Sequence, residues 1–506
     1  MSTQTIHTAT LLGIDGYPVE VEIDLLRRLP AVSIVGLPDG AVRESADRVR
    51  SAIQHSHYTF PRKRIVINLA PAGLKKTGTL FDLPIAIGIL SSDEQITIQQ
   101  NRIRRSIFLG ELSLSGQVRP IQGALPLAMM SRDLGFEHLI IPRDNYLEVE
   151  CVDGIDIVAV ESLPEAIDWL QFGRVPQPPM PILEEDATST MDMSEVKGQT
   201  HTKRALEIAA AGGHNILMMG SPGCGKSMLA KCLPSILPSL SKNEAIDITR
   251  IHSVAGLLKN NSLVNTRPFR SPHHSISLAG MIGNAKLRPG EVSLAHCGVL
   301  FLDELSEFRR DVLESLRTPL EDGEVQITRA SGQVHFPANC AIVAAANPCP
   351  CGWRFHHTTP CTCNPTAIQR YENKLSGPLL DRIDLHIWVD PISTDEFING
   401  GPSESSMEIR RRVERAREKQ RQRFKDETID CNAQMNGHVL WQYIQLEKSL
   451  QDWFIQIATH QHLSSRSLSR IIKVAQTIAD LENIEHITQT HLIEALSYRT
   501  TLGGQK

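Results

Sequence analysis

The sequence predicts a multidomain α/β protein, and three observations carry that prediction. The chain has 506 residues, more than a single hydrophobic core organises. Short β-rich runs alternate with helical ones in two blocks, separated by GRVPQPPMPILEEDATSTMDMS, a stretch rich in proline, acidic and hydroxyl residues. Within the second block HNILMMGSPGCGKSMLAKCL reads as a buried strand, a glycine-rich loop and a helix in direct succession.

Taken in order, residues 1–172 form the first block. VEVEIDL, AVSIVGL, RIVINLA, SIFLGELSL, HLIIP and DIVAV read as strands, and AVRESADRVRSAIQHS and ESLPEAIDWLQF as helices. Residues 173–191 lack any period and read as a linker. The second α/β block spans 192–395. A break at STDEFINGGPSESS opens a helical part, 396–506, in which MEIRRRVERAREKQRQRF, SLSRIIKVAQTIADLEN and TQTHLIEALSYRT show helical spacing.

Composition narrows the function classes. Hydrophobic residues make up 41% and charged residues 22%, ordinary for a globular chain. A formal net charge of -5 excludes a basic nucleic-acid coat, so contact with DNA has to come from local patches. No apolar run is long enough to span a bilayer, and LPIAIGIL is typical of the longest. The opening MSTQTIHTATLLGID lacks the basic and apolar regions of a secretory signal. Six of ten cysteines are scattered. These features predict a cytoplasmic protein with reduced thiols and no membrane partner.

The glycine-rich loop matches G-x-x-x-x-G-K-[ST] at Gly220, Ser221, Pro222, Gly223, Cys224, Gly225, Lys226 and Ser227. Its glycines let backbone N–H groups turn inward around phosphates, and the following helix contributes a favourable dipole. Lys226 is expected on the β/γ-phosphates of ATP and the Ser227 hydroxyl on Mg²⁺. GVLFLDE then delivers Asp303 to the Mg²⁺ shell and Glu304 to the attacking water. CAIVAAAN ends in Asn347, a neutral group placed to orient that water beside the γ-phosphate.

The loop, the acidic pair and the polar strand end together resemble the AAA+ ATPases. RPGEVSLAHCGVLFLDELSEF, PLEDGEVQITRASGQVHFPA, ANPCPCG and SGPLLDRIDLHIWV resemble the magnesium-chelatase-like branch. With the first block included, the chain resembles the bacterial ComM (YifB) family over nearly its whole length. That resemblance implies a homo-oligomer, a hexameric ring, acting as a DNA helicase that drives branch migration during integration of transforming DNA, with recombinases as possible partners. It implies that Arg382, in LLDRID, is an arginine finger reaching a neighbouring subunit's nucleotide. The plainer alternative is a surface or salt-bridged arginine. In LSSRSLSR the sensor-2 arginine would be Arg466, with Arg470 as the alternative; both also fit charges on a solvated helix face.

EVQITRASGQVHF reads as a β-hairpin around a Ser-Gly turn. In the chelatase and MCM-helicase branch such a hairpin, the pre-sensor-1 hairpin, projects into the channel, which would bring Arg329 to DNA phosphate. AGMIGNAKLRPGEV resembles the helix-2 insert, with Lys286 and Arg288 exposed for the same purpose. A plain solvent hairpin is the alternative. RRRVERAREKQRQRFK intersperses its basic residues with Glu and Gln, which favours a solvated helix face over DNA contact.

NPCPCGWRFHHTTPCTCNP, residues 347–365, holds four cysteines where the chain's average would place roughly a third of one. Cys349, Cys351, Cys361 and Cys363 are candidate ligands of a structural Zn²⁺, which would tie a coreless insertion into shape. The two Cys-x-Cys pairs depart from the usual Cys-x₂-Cys spacing; His356 or His357 is a possible substitute ligand, and a metal-free cysteine loop is the alternative. Trp353 and Phe355 read as packing residues ahead of base-stacking ones.

In the first block, IVINLAPAGLKKTGTLFDLPIAIGIL and LGELSLSGQVRPIQGALPLA resemble the Lon-protease fold. The nucleophile and lysine positions of that family fall on Asp82 and Leu125, which cannot form an acyl-enzyme. Lys75 and Lys76 lie outside the matching place. Arg62, Lys63 and Arg64 make the block locally basic. The expectation is a non-proteolytic Lon-like α+β domain ahead of an ATPase core and a helical lid. Rival expectations are a chelatase motor subunit acting on a protein partner, and an ATP-dependent protease.

Overall fold

The computed structural model describes residues 4–180, 191–258, 262–329, 332–356, 359–374, 377–392, 394–399, 401 and 403–499. Its amino-terminal part is a seven-stranded mixed sheet. The strand order is Ala31–Val35, Arg64–Ala70, Asp15–Leu26, Gln4–Leu12, Ser106–Phe108, His138–Pro142 and Asp156–Val160. The first strand, Gln4–Leu12, goes unread in the sequence because Thr8 and Thr10, both fully buried, hide its apolar face. The run LPIAIGIL lies in the helix Asp82–Ser92, buried on every side. Gly88 lets that helix sit close on the sheet, where a methyl group would come within 2.5 Å of Ile23 Cδ1.

The central part is a five-stranded sheet whose paired strands all run parallel. Its order is Phe269–Arg270, Val299–Leu302, Ala341–Ala346, Ile216–Met219 and Leu385–Trp388. The three middle strands are apolar and almost wholly buried, as covering on both faces demands. Register sets Met219 opposite Ala346 and Leu302 opposite Ala344, so these strands finish side by side. Ligands of open parallel sheets bind outside such carboxyl ends.

Helix Ser406–Arg423 starts on a capping box between Ser405 and Glu408. It buries Ile409, Val413 and Ala416 in one core with Ala205, Ile208 and Ala209 of helix Thr200–Gly212. Three of its basic residues form ion pairs within the chain. Arg412 meets Glu207 and Glu404, Arg423 meets Asp480, and Arg410 meets Glu414. STDEFING, read from sequence as a break, contains the short helix Thr394–Asn399, whose first turn carries Asp395 and Glu396 at the positive end of the helix dipole.

The amino-terminal sheet is docked on the central part. Ile14, in the turn between its first two strands, shares a core with Val325, Ile327 and Val334. A methyl on Gly13 (φ +65°) would overlap Val334 Cγ1. Glu148, 1% exposed, accepts hydrogen bonds from Leu125 N at 2.9 Å and Asn145 Nδ2 at 3.1 Å, and from the hydroxyl of Ser253. Ser253 belongs to helix Lys242–Ala255 of the central part.

Candidate nucleotide-binding site

Strand Ile216–Met219 runs straight into the glycine-rich loop, and helix Lys226–Ile236 leaves it. Gly223 (φ +79°) and Gly225 (φ +91°) adopt left-handed backbone that other residues enter only with strain. At Gly220 the constraint is proximity, since a methyl would lie 2.3 Å from the Val389 carbonyl oxygen and 2.8 Å from Cys224 Sγ. Ser221 and Pro222 complete the loop.

The side chains singled out in the sequence converge here. Lys226 Nζ donates to the carbonyls of Gly220 at 2.8 Å and Ser221 at 2.9 Å, and lies 3.2 Å from Asn347 Oδ1. Ser227 Oγ donates to Asp303 Oδ2 at 2.7 Å. The hydroxyl and carboxylate required for one Mg²⁺ shell are therefore adjacent. Glu304 follows with φ 50° and ψ 50°, a left-handed conformation uncommon for a glutamate. The turn it makes leaves its carboxylate exposed, 3.4 Å from His274 Nδ1. Sequence reading missed His274; its signal is the polar SPHHS directly after strand Phe269–Arg270, on the sheet edge facing Glu304.

Arg382 and Arg466 lie elsewhere. Arg382 precedes Leu385, which is paired with Ile216, the first residue of its strand. It therefore sits at the amino edge of the sheet, a strand length of about 13 Å from the carboxyl edge that carries the loop. There Glu321 Oε1 receives Arg382 Nη2 at 2.6 Å and Arg466 Nη2 at 3.1 Å. These guanidiniums, Arg382 first, hold the Glu321 carboxyl below its ordinary value. Arg470 turns inward, its Nη1 2.6 Å from Asp384 Oδ1 and 2.7 Å from the Arg382 carbonyl. Burial pushes the Asp384 carboxyl up, but Arg470, His214 and Lys473 outweigh it and hold the group well below the usual range. Glu321 and Asp384, both missed in sequence, thus organise three arginines.

Hairpin Glu324–Arg329/Gly332–Pro337 ends with Arg329 paired to Gly332. Ala330, Ser331 and the Arg329 side chain lie outside the described residues. Val325, Ile327, Val334 and Phe336 face inward; Glu324, Gln326, Thr328, Gln333 and His335 face out. The turn bearing Lys286 and Arg288, both exposed, lies beside it, with Gly283 packed on Ile327. Arg288 Nη2 also reaches Gln122 Oε1 at 3.3 Å.

The four cysteines converge. Their sulfurs lie within 4.8 Å of one another, with Cys349–Cys351, Cys351–Cys361 and Cys349–Cys361 at 3.4, 3.5 and 3.7 Å. These spacings exceed a disulfide bond. They suit a tetrahedral Zn²⁺, whose bond length of about 2.3 Å sets sulfurs about 3.8 Å apart. His356 Nδ1 accepts from Thr359 N at 3.0 Å and is outside that set, while His357 lies outside the described residues. Trp353 packs on His356 and Phe355 on Trp388.

In the amino-terminal part Asp82 is fully buried and held by Ser45 Oγ at 2.5 Å, Arg48 Nε at 2.8 Å and Leu112 N at 3.2 Å. Leu125 offers only its backbone N–H, to Glu148. The buried Lys76 donates to the Pro71 carbonyl.

The chain is similar to known proteins along nearly its whole length. The family described as magnesium chelatase, subunit ChlI, matches residues 192–397; two further ChlI families match residues 21–145 and, for the C-terminal part, 403–499. Uncharacterized protein YifB of Escherichia coli is 41% identical over 99% of this chain and 97% of its own. Competence protein ComM of Haemophilus influenzae is 39% identical over 99% of this chain and 98% of its own. Lon protease 2 of Bacillus subtilis is 33% identical over 19% of this chain and 17% of its own.

Proposed function

The chain belongs to the magnesium-chelatase-like family that includes YifB and ComM, and from that membership we propose that it is a ring-forming, hexameric ATP-driven DNA translocase. Membership makes it a magnesium-chelatase-like ATPase related to a competence protein, using ATP and Mg²⁺. The proposed action is helicase-type branch migration during recombination of transforming DNA, alongside recombinase partners.

The observation that carries this reading is the separation of Arg382 and Arg466 from their own phosphate loop. Cations at the amino edge of the sheet serve catalysis if they complete a neighbour's pocket. Each active site is then shared, and a closed ring shares every one. In that arrangement Lys226 and the loop amides hold the phosphates, and Ser227 and Asp303 hold Mg²⁺. Glu304 activates water, Asn347 orients it, and the neighbour's Arg382 stabilises the transferring charge. Arg466 assists from the same edge. Arg329, Lys286 and Arg288 are assigned to DNA phosphate in the channel.

The proposed division is a non-proteolytic Lon-like domain 1–172, linker 173–191, ATPase core 192–395 and lid 396–506. The insertion 347–365 holds a structural Zn²⁺ through Cys349, Cys351, Cys361 and Cys363. Burial of Asp82 against Arg48, with leucine at position 125, argues against the protease reading.

Mixing tests the shared pocket. Lys226→Ala and Arg382→Ala are each expected to be inactive alone. Combined, they should regain DNA-stimulated ATPase activity, because mixed interfaces join an intact loop to an intact arginine. No recovery from two variants that still oligomerise would defeat the reading. The family match also favours a chelatase motor acting on a protein partner; stimulation by such a partner and not by forked DNA would establish it.

A further inference from the structure

The cysteine knuckle touches the nucleotide site at several points. Asn347, which meets Lys226, is two residues ahead of the buried Cys349. Cys349 to Gly352 form a tight turn, closed by Gly352 N donating to the Cys349 carbonyl at 2.9 Å. Gly352 (φ +83°) lies flat on Pro222 of the phosphate loop. A methyl there would stand 2.5 Å from Pro222 Cδ and 2.6 Å from Cγ. On the far side of the knuckle, helix Pro365–Lys374 begins two residues after Cys363. Its Tyr371 accepts a 2.7 Å hydrogen bond from Ser306 Oγ, two residues beyond Glu304. Phe355 and Gly352 line a narrow cleft with Ser221 and Trp388.

We propose that this knuckle, held by its metal, is a positioning device for the phosphate loop: its Cys349–Gly352 turn braces Pro222 and so sets nucleotide affinity. The inference rests on the nucleotide and zinc readings above and goes beyond a role in shaping the insertion. The loop GSPGCGKS holds three glycines and is conformationally permissive. To bind phosphate it has to aim several N–H groups at once, and ordering them on binding opposes affinity. Four thiolate bonds fix the turn without an apolar core, and the packing of Gly352 on Pro222 extends that rigidity to the loop.

A two-residue cycle tests the brace. A fluorescent ADP analogue is titrated into wild type, Gly352→Ala, Pro222→Ala and the double variant, with zinc measured on each. Gly352→Ala is expected to weaken the analogue at least about tenfold, or 1.4 kcal/mol, while retaining its metal. Pro222→Ala removes the atoms that clash, while the strain of a side chain at φ +83° remains, so the double variant should bind the analogue more tightly than Gly352→Ala alone. Equal affinity of Gly352→Ala and wild type, or a double variant as weak as Gly352→Ala, overturns the proposal.

If Gly352→Ala does not fold, chelator-stripped wild type supplies the second measurement. Affinity should fall by a similar factor with helical circular dichroism intact, and unchanged affinity overturns the proposal. Wild type isolated without zinc defeats the metal reading, and wild type that binds no analogue defeats the site reading. The proposal falls with either, whereas a normal wild type with an unaffected cycle defeats the proposal alone.

Discussion

Asp384 and Glu148 are both buried carboxylates in opposite surroundings. Asp384 faces Arg470, His214 and Lys473. Asp384→Asn leaves Arg470 without its charged partner, and breaking a buried pair of this kind costs about 3–5 kcal/mol; a lower melting midpoint checks it. Its depressed folded-state value means that its contribution is present above the unfolded carboxylate value and is lost as pH falls through the folded one. Among the described residues Glu148 accepts bonds only from neutral donors, and burial raises its carboxyl. The sign is reversed: protonation favours the folded state, and that advantage is lost as pH rises through the raised value. Glu148→Gln should therefore gain stability relative to wild type between mildly acid and mildly alkaline melts. An advantage that does not grow with pH contradicts this. DRID displayed Arg382 plainly, but the meaning of Asp384 was hidden because His214 and Arg470 approach it from distant elements.

At the scale of elements, the most legible features were those with local signatures. The hairpin was readable from alternation around a Ser-Gly turn, and the phosphate loop from fixed spacing between a strand and a helix. The knuckle was readable from cysteine density, yet its packing on Pro222 was not, because no spacing rule marks where an insertion folds back. Strand Gln4–Leu12 escaped through its buried threonines. Helix Asp82–Ser92 escaped because an all-apolar run has no period to read. For the knuckle, metal analysis is expected to find about one zinc per chain, and Cys361→Ser should lose most of it, since three thiolates bind Zn²⁺ less firmly than four.

At the scale of the whole molecule, formal charge is a poor guide to where a polyanion binds. The net value is -5, but Lys286 and Arg288 stand exposed beside the hairpin. Replacing both by alanine should flatten the dependence of DNA affinity on salt, because every phosphate left without its cation takes about 0.9 off the slope for duplex DNA. An unchanged slope would move the DNA path elsewhere. The proposed ring was foreshadowed only by family resemblance. The physical reason for it, arginines at the wrong edge of their own sheet, needed strand register.

The seam between Gly13 and Val334 has a mechanical consequence. A hairpin that worked as a free finger would need slack at its root, and here its apolar side is wedged under the amino-terminal sheet. Any stroke that shifts Val334 by more than a side-chain rotation must either peel that seam open or haul the amino-terminal sheet along as ballast.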